Sequence, residues 1–165
     1  MALTGDTAGA IYHYRKAIEY DSTYLSALNN LGVVYQARKN WDSAEVFYMM
    51  AHRTDPKARN PRKNLADLYF FKGVDLRREG REEEAIANYR KSIPYNDNNI
   101  FLYNEFSVIC TNRKKYDSAL YYLKIANGMD ANSMLILENI AAVSFLNKDY
   151  QQAITYANKA LVILS

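Results

Sequence analysis

Five alanines set the strongest constraint on this chain. Ala10 and Ala44 are 34 residues apart, as are Ala119 and Ala153, and Ala85 lies 41 after Ala44 and 34 before Ala119. A fixed period of that size marks stacked helical units, each of which buries its apolar face only against its neighbours. Leu28, Leu31 and Tyr35 are spaced i, i+3, i+7 and fall on one helical face; Ala44, Tyr48 and Ala51, spaced i, i+4, i+7, do the same on the next helix. Gly32, Ala44 and Ala51 are small enough for two antiparallel helices to approach closely, with large neighbours filling the gaps. Breakers fall between the stripes, at Lys39-Asn40 and Asp55-Pro56. The pattern predicts nine helices, over 7–20, 24–38, 42–54, 62–79, 82–93, 99–113, 117–128, 133–146 and 150–163, with no competing strand pattern. Asp42 and Asp117, behind the bulky turn residues Trp41 and Tyr116, are expected to cap helix starts.

The residues around the alanines carry a resemblance. Leu28, Leu31, Gly32 and Tyr35 sit where the tetratricopeptide repeat places W-x2-L-G-x2-Y, with Leu28 replacing the Trp, and Ala44, Tyr48 and Pro56 fill the later A-x3-F…P part. Tyr69, Gly73, Ala85 and Tyr89 repeat the pattern, with Lys72 at a Leu position. Tyr103, Phe106, Ala119 and Ala126 repeat it again, with Ser107 for the Gly. Leu137, Ile140, Ala141, Ala153 and Ala160 form a fourth copy, with Ala157 at the aromatic site. Ala10, Tyr14, Ala17 and Ile18 match only the second half of a repeat. The chain thus resembles a tetratricopeptide repeat protein along essentially its whole length. The resemblance implies an all-α, right-handed superhelical solenoid of antiparallel helix pairs. One domain over 1–165 is expected, with a half repeat at 5–24 and repeats at 25–58, 59–99, 100–133 and 134–165.

Composition agrees with one domain: 165 residues with 49% hydrophobic content suffice for a sizeable core. The fifteen tyrosines could form a stacking platform for carbohydrate or nucleic acid. Tyr14, Tyr35, Tyr48, Tyr69, Tyr89 and Tyr103 nevertheless fall at packing positions, and Trp41 shares the turn position of Tyr116 and Tyr150, so a structural role is the better reading. The single cysteine, Cys110, lies on an inward stripe and reads as a structural thiol. The first residues show no basic region followed by an apolar one, hence no signal peptide, and no apolar run reaches the roughly 20 residues of a membrane helix. The default compartment is the cytoplasm.

Seven extra residues between Ala44 and Ala85 fall in the segment 57–65. Seven is close to two helical turns, so a longer first helix starting near Pro61 is expected, with a protruding loop as the alternative. The stretch 53–81 is also basic, with nine Lys/Arg against four acids, in a chain whose net charge is +3. Arg59, Arg62, Lys63, Arg77 and Arg78 could meet an acidic protein, a phosphate-bearing ligand or nucleic acid. The competing reading is a solvated surface partly neutralised by Glu82, Glu83 and Glu84.

In the family that the chain resembles, the first helix of each pair lines a concave groove that holds a peptide. That resemblance places Asn30, Val33, Phe70, Phe71, Val74, Phe101, Asn104, Val108 and Asn139 in the groove, the phenylalanines as apolar anchors and Asn30, Asn104 and Asn139 as hydrogen-bonding partners of the ligand backbone. For Phe70 and Phe71 a second reading stands: the longer helix could turn them into packing. The clamp with which some family members hold acidic chaperone tails is absent. Asn30 matches one clamp position, but Asn29, Asp67, Phe71 and Val33 occupy the others.

Enzyme signatures are missing. The two histidines, His13 and His52, stand on different repeats; no HExxH, CxxC or GxSxG occurs, and the six glycines form no phosphate-cradling loop. Neither a catalytic residue, a cofactor nor a metal is expected. The terminal helices are expected to leave apolar faces uncovered, through Ala10, Tyr14 and Ala17 at one end and Ile154, Ala157 and Leu161 at the other. A chain that starts mid-repeat reads as a piece of a longer protein; end-to-end self-association is the alternative. The functional expectation is a protein–protein interaction scaffold, with nucleic-acid or phospholigand binding, or service as a spacer in a larger enzyme or sensor, as alternatives.

Overall fold

A computed structural model describes residues 7–96 and 98–164. Residues 1–6, where the half repeat is expected to open at Gly5, lie outside the described residues, as do Asp97 and Ser165. The described residues form nine α-helices and no strand: α1 (Thr7–Tyr20), α2 (Leu25–Ala37), α3 (Trp41–Thr54), α4 (Arg59–Arg78), α5 (Glu82–Ser92), α6 (Ile100–Asn112), α7 (Tyr116–Met129), α8 (Met134–Leu146) and α9 (Tyr150–Leu164). The chain divides into two compact units, Met1–Asp97 and Asn98–Ser165. In the first, α2 pairs with α3 and α4 with α5, while α1 packs on α2 and α3 on α4. In the second, α6 pairs with α7 and α8 with α9, and α7 packs on α8.

Within each pair the reversal is made by the same device. Lys39, Gly80, Lys114 and Lys148 all adopt positive φ, between 55° and 79°. The amide after each donates to the carbonyl five residues back, as Asn40 N–H to that of Tyr35 and Lys115 N–H to that of Cys110. This is the Schellman arrangement, which satisfies carbonyls at the end of a helix and favours glycine at the left-handed residue. Only one of the four turns has that glycine.

Helix starts correct one expectation. Asp42 and Asp117 do not cap; each lies one residue inside its helix, because Trp41 and Tyr116 are already helical. Asn40 caps α3 by accepting from Ser43 N–H, Asn99 caps α6 by accepting from Phe101 and Leu102, and Asp149 accepts from Gln152 N–H at the start of α9. Asp42 and Asp117 instead accept across the repeat, from Lys72 and Asn147.

The seven extra residues are absorbed as helix and form no protruding loop: α4 has 20 residues where α2, α6 and α8 have 13. α4 opens at Arg59 with Pro61 in its first turn, close to the expected start near Pro61, but the extra length lies toward its other end. α4 begins 34 residues after α2 begins and ends 41 after α2 ends, so the two additional turns extend its C-terminal half. Because seven residues nearly complete two turns, the buried stripe keeps its phase. Leu65, Leu68 and Tyr69 join the core with Ala44 and Tyr48 of α3, and Gly73 lies against α5. The added turns run past the α2–α3 reversal, where Lys39 pairs with Asp75 and Lys72 with Asp42, each at 2.8 Å. Exposed pairs of this kind contribute about 0–1 kcal/mol each; their effect is to align α4 rather than to hold it.

Helix contact is closest at two glycines. A Cβ on Gly32 would stand 2.5 Å from the Tyr48 ring, and one on Gly73 would stand 2.5 Å from that of Tyr89. Both rings are fully buried. The positions sixteen residues apart in the second unit pair differently, Ser107 with Leu123 and Ala141 with Ala157. A larger residue on the first helix thus accompanies a smaller one on the second, which conserves volume at the crossing.

The alanines at 44, 85 and 119 are wholly buried. Tyr48, Tyr69 and Tyr89 are buried, whereas Tyr14, Tyr35 and Tyr103 are half-buried. Cys110 is half-buried against the core formed by α7 and α8. At the terminal helices, Ala10, Tyr14 and Ala17 are half-exposed, and Ile154, Ala157 and Leu161 are exposed.

Candidate functional site

The first helices bring together some of the groove residues and separate others. Val33 on α2 and Phe71 on α4 are exposed, at 39% and 48%, and face one cleft of about 480 Å³. Ala37, Trp41 and Tyr48 extend its apolar wall, and Gln36, Lys39, Asn64 and Asp75 supply its polar groups. Phe71 points into this cleft because the two added turns carry α4 alongside the end of α2. Phe70, one residue earlier, is half-buried, with its ring 6.0 Å from that of Tyr89 and 5.3 Å from that of Phe71. The two readings therefore divide between the two residues: Phe70 packs and Phe71 lines the cleft. Val74 is half-buried and outside the lining. Asn30 lies at a different depression, of about 260 Å³, between the starts of α2 and α4.

The cleft's amides are held in place by the protein. Tyr48 Oη donates to Gln36 Oε1 at 2.8 Å, and Asn64 Nδ2 donates to Asn29 Oδ1 at 2.8 Å. Burial, aided by the negative charge of Asp67, pushes the Tyr48 hydroxyl far above its ordinary value, so it stays a donor. With one atom of each amide engaged, Gln36 keeps its Nε2 donors and Asn64 its Oδ1 acceptor without a partner among the described residues. A side-chain pair that offers both a donor and an acceptor beside an apolar wall suits a peptide backbone.

The second unit repeats the device on α6 and α8. Asn139 Nδ2 donates to Asn104 Oδ1 at 2.6 Å, across the same sequence separation of 35 as the Asn29–Asn64 pair. Phe101 is 54% exposed on α6, and Leu135 and Phe145 are exposed on α8. Val108 is half-buried.

The basic stretch does not form one surface. Arg59, Arg62 and Lys63 gather with Lys57, Tyr95 and Asn96 around a pocket of about 510 Å³. Arg77 and Arg78 end the same helix, roughly 27 Å away at 1.5 Å per residue, where Arg78 faces Asp75.

No group of His, Cys, Asp or Glu among the described residues could hold a metal ion, and no helix among them is long and apolar enough to cross a membrane. His52 packs edge-on against Tyr95, with Nδ1 buried and without a partner among the described residues.

Two family models match the chain, one described as "Tetratricopeptide repeat" over residues 23–96 and one as "TPR repeat" over residues 3–38. Together they span more than half of it. The chain belongs to the tetratricopeptide repeat family. Of curated proteins, it is 30% identical over 96 residues to the photosystem I assembly protein Ycf3 of Rippkaea orientalis, covering 55% of this chain and 54% of that one. It is 27% identical over 152 residues to human protein O-mannosyl-transferase TMTC1, covering 92% of this chain and 17% of that one. The chain thus spans about half the length of the first relative and about a sixth of the second. Among solved structures it is similar to MamA, with a TM-score of 0.63 at 18% identity, covering 99% of this chain and 95% of that one. It is also similar to YrrB, with a TM-score of 0.59 at 20% identity, covering 96% and 78%. At those identities the likeness is one of fold: the helix pairs of a tetratricopeptide repeat solenoid.

Sequence reasoning missed Asn64 and Tyr95. Asn64 sits two turns before the aligned motif of its repeat, so only the true position of the insertion brings it opposite Asn29. Tyr95 follows α5 in no recognisable motif position, yet its ring stacks on Tyr69 and its carbonyl anchors Arg62.

Proposed function

We propose that this chain is a non-catalytic scaffold that captures a peptide segment of a partner protein, and that the cleft between α2 and α4 is its principal binding site. The family supports protein binding in general; the observation that carries the particular site is the exposure of Val33 and Phe71 on one wall beside the Gln36 and Asn64 amides. The occupant is a segment with an apolar side chain seated on Phe71, Val33 and Trp41, and with its backbone bonded to Gln36 Nε2 and Asn64 Oδ1. Phe101, Asn104 and Asn139 offer a second, similar surface on α6 and α8. No chaperone-tail clamp is part of this reading, since Asp67 and Phe71 stand where cations are needed. The name of the photosystem I relative describes work in assembly, which accords with a scaffold. The transferase name belongs to a protein of which this chain spans 17%, and no transfer chemistry is assigned here.

The test is selection of peptides from a displayed random library on the wild-type chain, followed by affinity measurement on Val33→Lys and Phe71→Lys. Both side chains are exposed, so helicity by circular dichroism should be unchanged. Enriched peptides should carry an apolar anchor, and Phe71→Lys should weaken them at least about tenfold, the loss of a well-buried apolar contact. Peptides that bind both variants as well as wild type would remove the cleft from the site.

A further inference from the structure

The pocket lined by Lys57, Arg59, Arg62, Lys63, Tyr95 and Asn96 has no place in the peptide reading. Among the described residues that line it, four of six are cations and none is a carboxylate. Three of those cations, Arg59, Arg62 and Lys63, occupy the first five residues of α4, whose first turn contains no acid. Positive charge at a helix start opposes the helix dipole, and like charges gathered in one pocket repel one another, so the arrangement is unfavourable until an anion enters.

The pocket is also partly organised. Arg62 Nε donates to the Tyr95 carbonyl at 3.0 Å, which fixes the guanidinium plane and leaves both Nη groups without a partner among the described residues. Lys57 and Arg59 have no ion-pair partner among them. Lys63 is paired with Asp67 across one helical turn. A fixed guanidinium fork with two unpaired cations beside it matches a tetrahedral dianion, whose oxygens accept several charge-assisted bonds at once. Tyr95 lies in the turn after α5, and its ring is held by stacking on Tyr69 and edge contact with His52, so the turn that carries the anchoring carbonyl is tied to the core.

We propose that this pocket binds a dianionic phosphate, either free or as a small phosphomonoester. A nucleic-acid strand is a poorer match. It would need a continuous track of cations, and Arg77 and Arg78 lie at the far end of α4. The pocket's volume of about 510 Å³ exceeds that of a phosphate group alone, which leaves room for a carrier.

Titration of the whole chain, followed by amide chemical shifts at constant ionic strength, tests this with three probes: inorganic phosphate, free phosphoserine and a single-stranded oligo-dT. The expected result is saturable binding of phosphate or phosphoserine, with shifts concentrated at residues 57–63 and 95–96. Lys57→Ala/Arg59→Ala should weaken it about tenfold or more, as loss of charged hydrogen bonds implies, whereas Arg77→Ala/Arg78→Ala should leave it unchanged. Tighter phosphoserine than phosphate identifies an ester ligand; equal affinity identifies the free ion. Shifts that never saturate, or equal binding by the Lys57/Arg59 variant, overturn the proposal. Oligo-dT binding that falls equally with either pair of substitutions overturns it in favour of a diffuse cationic surface. None of the four substituted residues lines the α2–α4 cleft, so failure here is separable from failure of the peptide site.

Discussion

Substitution of Gly32 by alanine tests the packing logic directly. In most helix interiors Gly→Ala stabilises by about 1 kcal/mol, because alanine is the better helix former. Here the new Cβ would stand 2.5 Å from two ring carbons of Tyr48 and 3.1 Å from a third, where the optimum between carbons is about 3.5–4.0 Å. The ring cannot swing away: it is 1% exposed and its hydroxyl is bonded to Gln36. Relief requires the two helices to separate by about 1 Å, an overpacking cost of about 2–3 kcal/mol. Set against the propensity gain, Gly32→Ala should destabilise by about 1–2 kcal/mol. Tyr48→Leu alone should cost about 2–3 kcal/mol by leaving a cavity. In that background the added methyl meets space, as at Ser107 opposite Leu123, and Gly32→Ala should become neutral or stabilise by about 1 kcal/mol. The coupling between the two changes is then about 1–3 kcal/mol, read from urea denaturation of wild type, both single variants and the double variant. Stabilisation by Gly32→Ala in the wild-type background would refute the close-contact argument. At Gly73 the same change should cost more, since the Ala85 carbonyl oxygen at 3.2 Å is backbone and cannot rotate aside.

Three further outcomes are expected. Lys114→Gly should raise stability by about 1 kcal/mol, because φ of 57° strains an L side chain and the Schellman turn favours glycine there; Gly80→Ala should lower it, and thermal melts of both variants check the pair. Burial holds the hydroxyls of Tyr48 and Tyr69 well above their ordinary value, with Asp67 and Glu45 adding to the effect. The folded pKa is the raised one, so this contribution is whole below pH of about 10, the unfolded value, and is lost as pH climbs above it. Urea midpoints measured across that range should fall less steeply in Tyr48→Phe/Tyr69→Phe than in wild type. Lys39→Ala should change stability by less than about 1 kcal/mol, since its Asp75 partner sits in an exposed pair, and a larger loss in denaturant titration would show that the pair holds the added turns of α4 in place.

The chain's periodicity determined the class of fold, the number of helices and nearly all their bounds. That information is local: a 3.6-residue stripe, a small residue where helices cross and a reversal after each stripe are all written in contiguous residues. The buried alanines at 44, 85 and 119 follow from it. The cap at Asn40 was legible in principle, yet a bulky residue in the first helical position shifted the expected start by one. What the tertiary structure alone decided lies wherever two helices distant in sequence set each other's register. Seven residues inserted between two alanines are compatible with a longer start, a longer end or a loop. Only packing of the N-terminal half of α4 on α3, and of its C-terminal half on α5, places the extra turns at the end. That choice turned Phe70 onto Tyr89, left Phe71 in the cleft, set Asn64 opposite Asn29 and sent Arg77 and Arg78 away from the other cations. The stripe pattern records which side of a helix is buried; how far along its neighbour the helix slides is a property of the packed pair.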